Sequence, residues 1–122
     1  MWLRLRSAGT DGPGPCYTGA QIINQLGTSA AYAQNGGANI PLGYIASMTS
    51  QKYGAEVTIH APALAITSSV NFLSSGVDGT YVQNFAGGAL YDNATAYDGL
   101  TLLPSTGAAT FSGTVQVYGY SN

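Results

Sequence analysis

The chain has 122 residues, of which 45% are hydrophobic and only 7% charged, with a formal net charge of −2. Ordinary globular domains carry about 25% charged residues, so hydroxyl, amide and backbone groups must solvate this surface. Three scattered cations provide no basic patch for nucleic acid, and the single cysteine, Cys16, excludes an internal disulfide or a cysteine-based zinc site. A surface with so few charges suits packing against other subunits, although a monomeric, hydroxyl-rich domain has the same composition.

Membrane insertion and export are not expected from the sequence. No window approaches the ~18–20 uninterrupted apolar residues that a transmembrane helix needs. The first nine residues, MWLRLRSAG, lack the apolar core of a secretory signal. We therefore expect synthesis in a cytoplasm.

The first third of the chain predicts two strands and a loop. Residues 2–7 alternate, with Leu3 and Leu5 on one face and Trp2, Arg4 and Arg6 on the other, as in a half-buried strand. Residues 8–15 are rich in glycine and proline and predict a turn at Asp11-Gly12. Residues 17–23 predict a short strand. Residues 27–39 are small and polar, and predict a long exposed loop with Tyr32 as its only large side chain.

The middle of the chain predicts four strands. Residues 40–48 form the first, and residues 51–54 turn the chain. Residues 55–61 alternate, with Val57, Ile59 and Ala61 on one face and Glu56, Thr58 and His60 on the other. Residues 64–73 continue as strand, and residues 74–79 predict a turn. Residues 80–91 predict a strand that Gly87-Gly88 splits with a bulge.

The last quarter predicts the unit around which the fold is organised: strands at residues 100–103 and 109–118, joined by a turn-rich connector. In the second strand one face carries Phe111, Gly113, Val115 and Val117, and the other carries Thr110, Ser112, Thr114, Gln116 and Tyr118. The total is seven or eight short strands separated by turn residues. That pattern predicts one all-β domain over residues 1–122, an antiparallel β-sandwich of the jelly-roll type.

The ionisable residues indicate no catalytic, cofactor or metal site, so we expect no enzyme. His60 is the only histidine, and Glu56 lies about 13 Å away along the same predicted strand, too far for a dyad. A surface or interface role is the stronger interpretation of His60. The carboxylates Asp78, Asp92 and Asp98 lie in or beside predicted turns, where bonding to their own backbone is the stronger interpretation.

Two groups of residues leave a binding role open. The chain contains nine tyrosines, and Tyr32 and Tyr53, both in predicted loops, could form a platform for a host glycan. Arg4 and Arg6 share a strand face, so they could bind phosphate or a glycan. A solvated face or an inter-subunit contact is the stronger interpretation of the arginine pair.

Three stretches resemble a family of tailed-bacteriophage virion proteins. The C-terminal pair Ala96-Tyr97-Asp98-Gly99-Leu100-Thr101-Leu102 and Phe111-Ser112-Gly113-Thr114-Val115-Gln116-Val117-Tyr118-Gly119-Tyr120 is similar to the ending of those proteins. Leu3-Arg4-Leu5-Arg6, with Gly9-Thr10-Asp11 and Tyr17 after it, resembles their first strand and turn. Glu56-Val57-Thr58-Ile59, followed by Pro62, resembles a middle strand. These stretches occur in the family's order and together span most of the chain.

The resemblance implies a jelly-roll-like virion structural protein that decorates or cements the capsid or belongs to the tail or its fibres. It implies self-association, for which we expect a homotrimer, contact with a neighbouring capsid or tail protein, and no catalytic residues. Family members usually have another strand before the Leu3-Arg4-Leu5-Arg6 strand, which a neighbouring subunit could supply here. Two competing hypotheses are a host-glycan-binding module and a hydrolase built on a β-sandwich.

Overall fold

The computed structural model describes residues 1–12, 14, 17–25, 27–43, 52–78, 81–104 and 110–119, except the side chain of Asp78. The described residues contain nine strands and no helix. The strands are β1 (Trp2–Ser7), β2 (Thr10–Asp11), β3 (Tyr17–Gln25), β4 (Thr28–Gly37), β5 (Ile40–Pro41), β6 (Tyr53–His60), β7 (Ser68–Asp78), β8 (Tyr81–Tyr91) and β9 (Gly99–Leu103). The prediction of an all-β fold is confirmed.

The strands form two antiparallel sheets. The large sheet has the order β4-β3-β8-β7-β6, and the small sheet is centred on β1, which pairs with β2, β5 and β9. Trp2 pairs with Pro41 of β5 and also with Leu103 of β9, so those two strands lie on opposite sides of β1. The count exceeds the predicted seven or eight because β2 and β4 were not predicted as strands, although residues 110–118 of the last predicted strand form none.

The core lies between the sheets and follows the period-2 alternation of the strands. Leu3 and Leu5 of β1 are buried, whereas Trp2, Arg4 and Arg6 are half-buried on the opposite face, as predicted. The buried cluster also contains Met1, Tyr17, Ile40, Leu42, Val70, Phe72, Phe85, Ala89, Tyr91 and Tyr97. Each large apolar side chain in it contributes roughly 1.5–3 kcal/mol to folding. The structure is therefore a β-sandwich with one core.

The predicted loop at residues 27–39 is wrong, because residues 28–37 form β4. These residues are small and polar, and local preference for strand is weak. They nevertheless pair with β3 from Gln25↔Thr28 to Tyr17↔Gly37, with one irregularity at Tyr17/Gly19. The backbone N–H and C=O groups along that edge of β3 need hydrogen-bond partners. Pairing with β3 therefore outweighs the weak preference of residues 28–37 for strand.

Two predicted interruptions in the large sheet are also wrong. The sequence predicts a turn at residues 74–79, but residues 74–78 continue β7. This strand begins at Ser68 rather than at residue 64 and runs to Asp78. β8 passes Gly87-Gly88 without a bulge. A Cβ atom at Gly87 would lie 2.7 Å from the Ala20 carbonyl oxygen and 2.8 Å from Cζ of Phe72. This glycine permits close packing inside a regular strand rather than a bend.

Three other boundaries differ from the predictions. The turn between β1 and β2 lies at Ala8 and Gly9, whose φ angles are 49° and 78°, rather than at Asp11-Gly12. Paired positive φ values suit a tight hairpin. β5 ends at Pro41, so the predicted strand at 40–48 is wrong at residues 42–43, and its residues 44–48 lie outside the described residues, as does Cys16. β6 already begins at Tyr53, inside the predicted turn.

The largest departure is at the C-terminus. The predicted strand at 100–103 is β9, but residues 110–119 form no strand, turn or bend. We call residues 110–119 the C-terminal segment. The prediction that this segment is a half-buried strand is wrong for the single chain, because no other described strand pairs with it.

Candidate functional surfaces

The outer face of the large sheet is the broadest candidate surface. Ile22, Leu73, Val82 and Leu90 project from it with 51%, 61%, 61% and 51% of their areas exposed. Ile22 and Leu73 both pair with Ala86, so they flank one small residue in a row that runs across β3, β8 and β7. The neighbouring row contains Ala20, Gly88 and Asn71. Small residues between exposed apolar ones give a flat surface.

Hydroxyl and amide groups satisfy one another along this face. Ser29 Oγ donates to Asn24 Oδ1 at 2.6 Å, and Ser75 Oγ donates to Asn84 Oδ1 at 2.7 Å. Among its described side chains the ionisable ones are Glu56 and His60, both on the edge strand β6. His60 Nε2 lies 3.3 Å from Asn71 Nδ2. The face is therefore almost uncharged, and His60 is a surface residue of it.

The outer face of the small sheet carries the described ion pairs. Arg4 Nη1 lies 3.3 Å from Asp11 Oδ2, and Arg6 Nε lies 3.4 Å from Asp11 Oδ1. Thr101 of β9 donates to Asp11 Oδ1 at 2.6 Å. The Thr101 hydroxyl, together with Arg4 and Arg6, lowers the pKa of Asp11 despite an opposing desolvation effect. The predicted arginine pair does share a face, but one carboxylate serves both guanidinium groups.

Three tyrosines are structural parts of the core. The rings of Tyr17 and Tyr91 lie 4.4 Å apart between centroids, and Tyr97 meets Tyr91 edge-on at 5.1 Å. Tyr17 accepts a 2.8 Å hydrogen bond from the Leu5 amide, which faces the gap between β5 and β2. Burial raises the pKa of Tyr17 and of Tyr91. These rings hold the two sheets together.

A cavity of about 350 Å³ opens between β1, β3, β4 and β5. Trp2 and Tyr32 contribute aromatic surface, and Gln21, Gln34 and Asn39 contribute amides. Gln21 Oε1 is buried without a hydrogen-bond partner in the described structure. Tyr53 lies elsewhere, on β6, with its hydroxyl bonded to the Leu42 carbonyl. The structure therefore does not bring together the two tyrosines predicted as a glycan platform.

The C-terminal segment is a third candidate surface. Phe111, Val115, Val117 and Tyr118 expose 46%, 60%, 77% and 77% of their areas. Tyr118 donates to Gln116 Oε1 at 2.8 Å, so side chains two residues apart lie on one side, as the alternation predicts. Within the described structure no other hydrogen bond of this segment is seen. Its alternating faces are both exposed.

The described residues contain no cluster of three or more His, Cys, Asp or Glu side chains that could hold a metal. Asp98 accepts a 3.1 Å bond from the Ala8 amide, and Asp92 is exposed. No helix in this part of the chain could span a membrane. The sequence predictions missed the flat outer face, although the even positions of residues 18–24 and the odd positions of residues 69–77 carry its signal.

Comparisons of this chain with protein-family models, curated proteins and solved structures found no match. Its function is therefore inferred from its residues and geometry. The features that bear on it are the neutral outer face of the large sheet, the cavity at Trp2 and the C-terminal segment, which pairs with no described strand.

Proposed function

We propose that this protein is a homo-oligomeric structural component of a bacteriophage virion, a jelly-roll-like subunit that decorates or cements the capsid or belongs to the tail or its fibres. The observation that carries the proposal is the flat, nearly uncharged outer face of the large sheet. The resemblance of its N-terminal, middle and C-terminal stretches to tailed-phage virion proteins supports the same assignment. Its partners are copies of itself, as a homotrimer, and a neighbouring virion protein.

The energetics of burying that face favour assembly. Ions that lose water at an interface cost several kcal/mol each unless they are well paired. Here Ile22, Leu73 and Leu90 would be buried beside small residues and amides that already hydrogen-bond to one another. Because charged residues are depleted at the centres of protein interfaces, this face has the composition of an interface core. No nucleic acid, membrane or cofactor is needed for that role.

Incorporation into particles tests the proposal. Leu73→Glu places a carboxylate at the centre of the outer face, whereas Ala63→Glu places the same charge in the exposed connection between β6 and β7. In virions purified from host cells, we expect the wild type and Ala63→Glu at equal levels and Leu73→Glu reduced at least tenfold. Immunoblotting of the particles measures this, and an electron-microscopy map places the subunit in head or tail. Wild-type protein that stays entirely outside the particles would overturn the proposal.

A second candidate function is recognition of a host glycan in the cavity between Trp2 and Tyr32. Aromatic rings stack on sugar faces, and the amides of Gln21, Gln34 and Asn39 match sugar hydroxyls. On a glycan array this function requires saturable binding that Tyr32→Ala abolishes. Tyr81→Ala, at an exposed tyrosine outside the cavity, is the matched control and should bind normally. Absence of saturable binding by the wild type removes this candidate.

A further inference from the structure

We propose that the C-terminal segment of one copy pairs as an added strand with the free edge of β9 in a second copy. This inference deepens the proposed function, since it rests on self-association and names the contact that produces it. The segment has the alternation of a strand that covers a core: Phe111, Val115 and Val117 on one face, hydroxyl and amide side chains on the other. In the single chain, neither face is covered.

The edge of β9 is available for such a strand. β9 pairs with β1 from Gly99↔Arg6 to Leu103↔Trp2 and with no other described strand. Each strand directs its backbone N–H and C=O groups alternately to its two sides, so the groups on the second side of β9 have no ladder partner among the described strands. A peptide that adds to a sheet edge obtains its affinity from these groups and its specificity from alternate side chains.

The free edge faces an incompletely covered part of the core. β5 lies on the other side of β1, near β4, since Ile40 and Pro41 line the cavity together with Tyr32. β9 lies towards β6, because the Tyr97 amide, just before β9, donates to the carbonyl of Pro62, just after β6. The free edge of β9 thus lies on the side of β6, the last strand of the large sheet.

The side chains at this border are apolar and half-buried. Val57 and Ile59 point inward from β6, and Leu102 points inward from β9, yet all three are only partly covered. One additional strand beyond β9 would lie above Val57 and Ile59. Phe111, Val115 and Val117 supply the apolar face that such a strand needs. The segment and the uncovered border are therefore complementary in chemistry.

The occupant is a second copy because, within the described part of the chain, no strand pairs with the segment or with the second edge of β9. The segment follows β9 closely in sequence, yet its side chains remain exposed rather than folding back on the same chain. Exchange of one strand with a neighbour satisfies the edge in every subunit. A head-to-tail exchange of this kind closes into a ring when the rotation between subunits permits, as in a trimer.

Sedimentation of the purified full chain tests the apolar face of the segment. Val117→Asp puts a carboxylate against the border, whereas Gln116→Glu puts the same charge on the outward face one residue away. We expect Val117→Asp to weaken self-association at least tenfold, because it removes the burial of a valine and buries a charge. Gln116→Glu should change the dissociation constant of the oligomer less than threefold. Equal effects of the two variants would overturn the inference.

Disulfide trapping tests the pairing itself. In a Cys16→Ser background, one copy carries Leu103→Cys and a second, tagged copy carries a single cysteine at successive positions from 110 to 117. Side chains on adjacent strands must bring their Cβ atoms to about 3.8 Å to form the bond. We therefore expect mixed disulfides at even positions, on the face of Leu103, and little at odd ones. A chain carrying both cysteines that closes only within itself at high dilution would overturn pairing between copies.

The outcomes separate this inference from the proposed function. A wild-type chain that is monomeric at all concentrations removes self-association and with it the exchange. An oligomer that tolerates both Val117→Asp and Gln116→Glu removes the exchange alone. An oligomer lost with Val117→Asp, retained with Gln116→Glu and trapped at even positions supports the exchange.

Discussion

β1 and the C-terminal segment have similar sequence patterns and opposite structural outcomes. In β1, Leu3 and Leu5 alternate with polar residues and are each 1% exposed. In the C-terminal segment, Val115 and Val117 alternate in the same way but are 60% and 77% exposed. β1 has sheet partners on both sides, whereas the segment has none among the described strands. Alternation therefore encodes a two-faced strand, while a partner decides whether either face is buried.

The largest expected effect comes from comparing a buried residue of β1 with an exposed residue of the C-terminal segment. Leu5→Ala removes a fully buried side chain from the core, and we expect the free energy of unfolding to fall by about 2–5 kcal/mol. Val115→Ala, at dilutions where the chain is monomeric, should change it by less than about 0.5 kcal/mol. Urea denaturation of both variants measures the difference. Equal losses would mean that the segment is buried in the monomer.

Glycines in the two regions give a second contrast. Gly87→Ala forces a Cβ atom to within 2.8 Å of Phe72 and Ala20, and nothing lies within 4 Å of the same atom at Gly113. We expect Gly87→Ala to lower the free energy of unfolding by about 1–3 kcal/mol through overpacking. Gly113→Ala serves as the control and should leave it nearly unchanged. A stable Gly87→Ala variant would contradict the close packing of β8 against β3 and β7.

Tyr17→Phe tests how β1 is held at the gap between β5 and β2. The substitution leaves the buried Leu5 amide without an acceptor, for which we expect a loss of about 1–3 kcal/mol. Tyr118→Phe is the matched change in the C-terminal segment, where the hydroxyl contacts only Gln116. Thermal unfolding of the two variants should show a lower midpoint for Tyr17→Phe alone.

The smallest expected effect concerns Asp11, which joins β1, β2 and β9. Its pKa is lowered in the folded state, so its contribution to stability is present above its unfolded pKa of about 3.9 and is lost as pH falls through the folded value. Asp11→Asn should reduce the free energy of unfolding by no more than about 1 kcal/mol near neutral pH. The difference in the free energy of unfolding between the two proteins should shrink as the pH falls from about 4 through the folded pKa, and a difference that stays constant over that range would contradict the shift.

Some of the candidate surfaces could be predicted from the residues and some could not. The faces of β6, with Val57 and Ile59 inward and Glu56 and His60 outward, follow from alternation alone and are confirmed. The cavity was not predictable, because Trp2 comes from β1, Tyr32 from β4 and Asn39 from the bend before β5. Tyr17, Tyr91 and Tyr97 carried no sign of their stacking, since long-range pairing brings them together.

By itself the sequence determined the all-β class, the sandwich and the inward faces of β1 and β6, because the alternation of side chains along an extended chain is a local property. Only the tertiary structure decided that residues 28–37 are a strand, that Gly87 is packed rather than bent, and that the C-terminal segment pairs with none of the described strands. Each of those outcomes depends on whether a distant strand offers its backbone groups, and no local pattern records that partner.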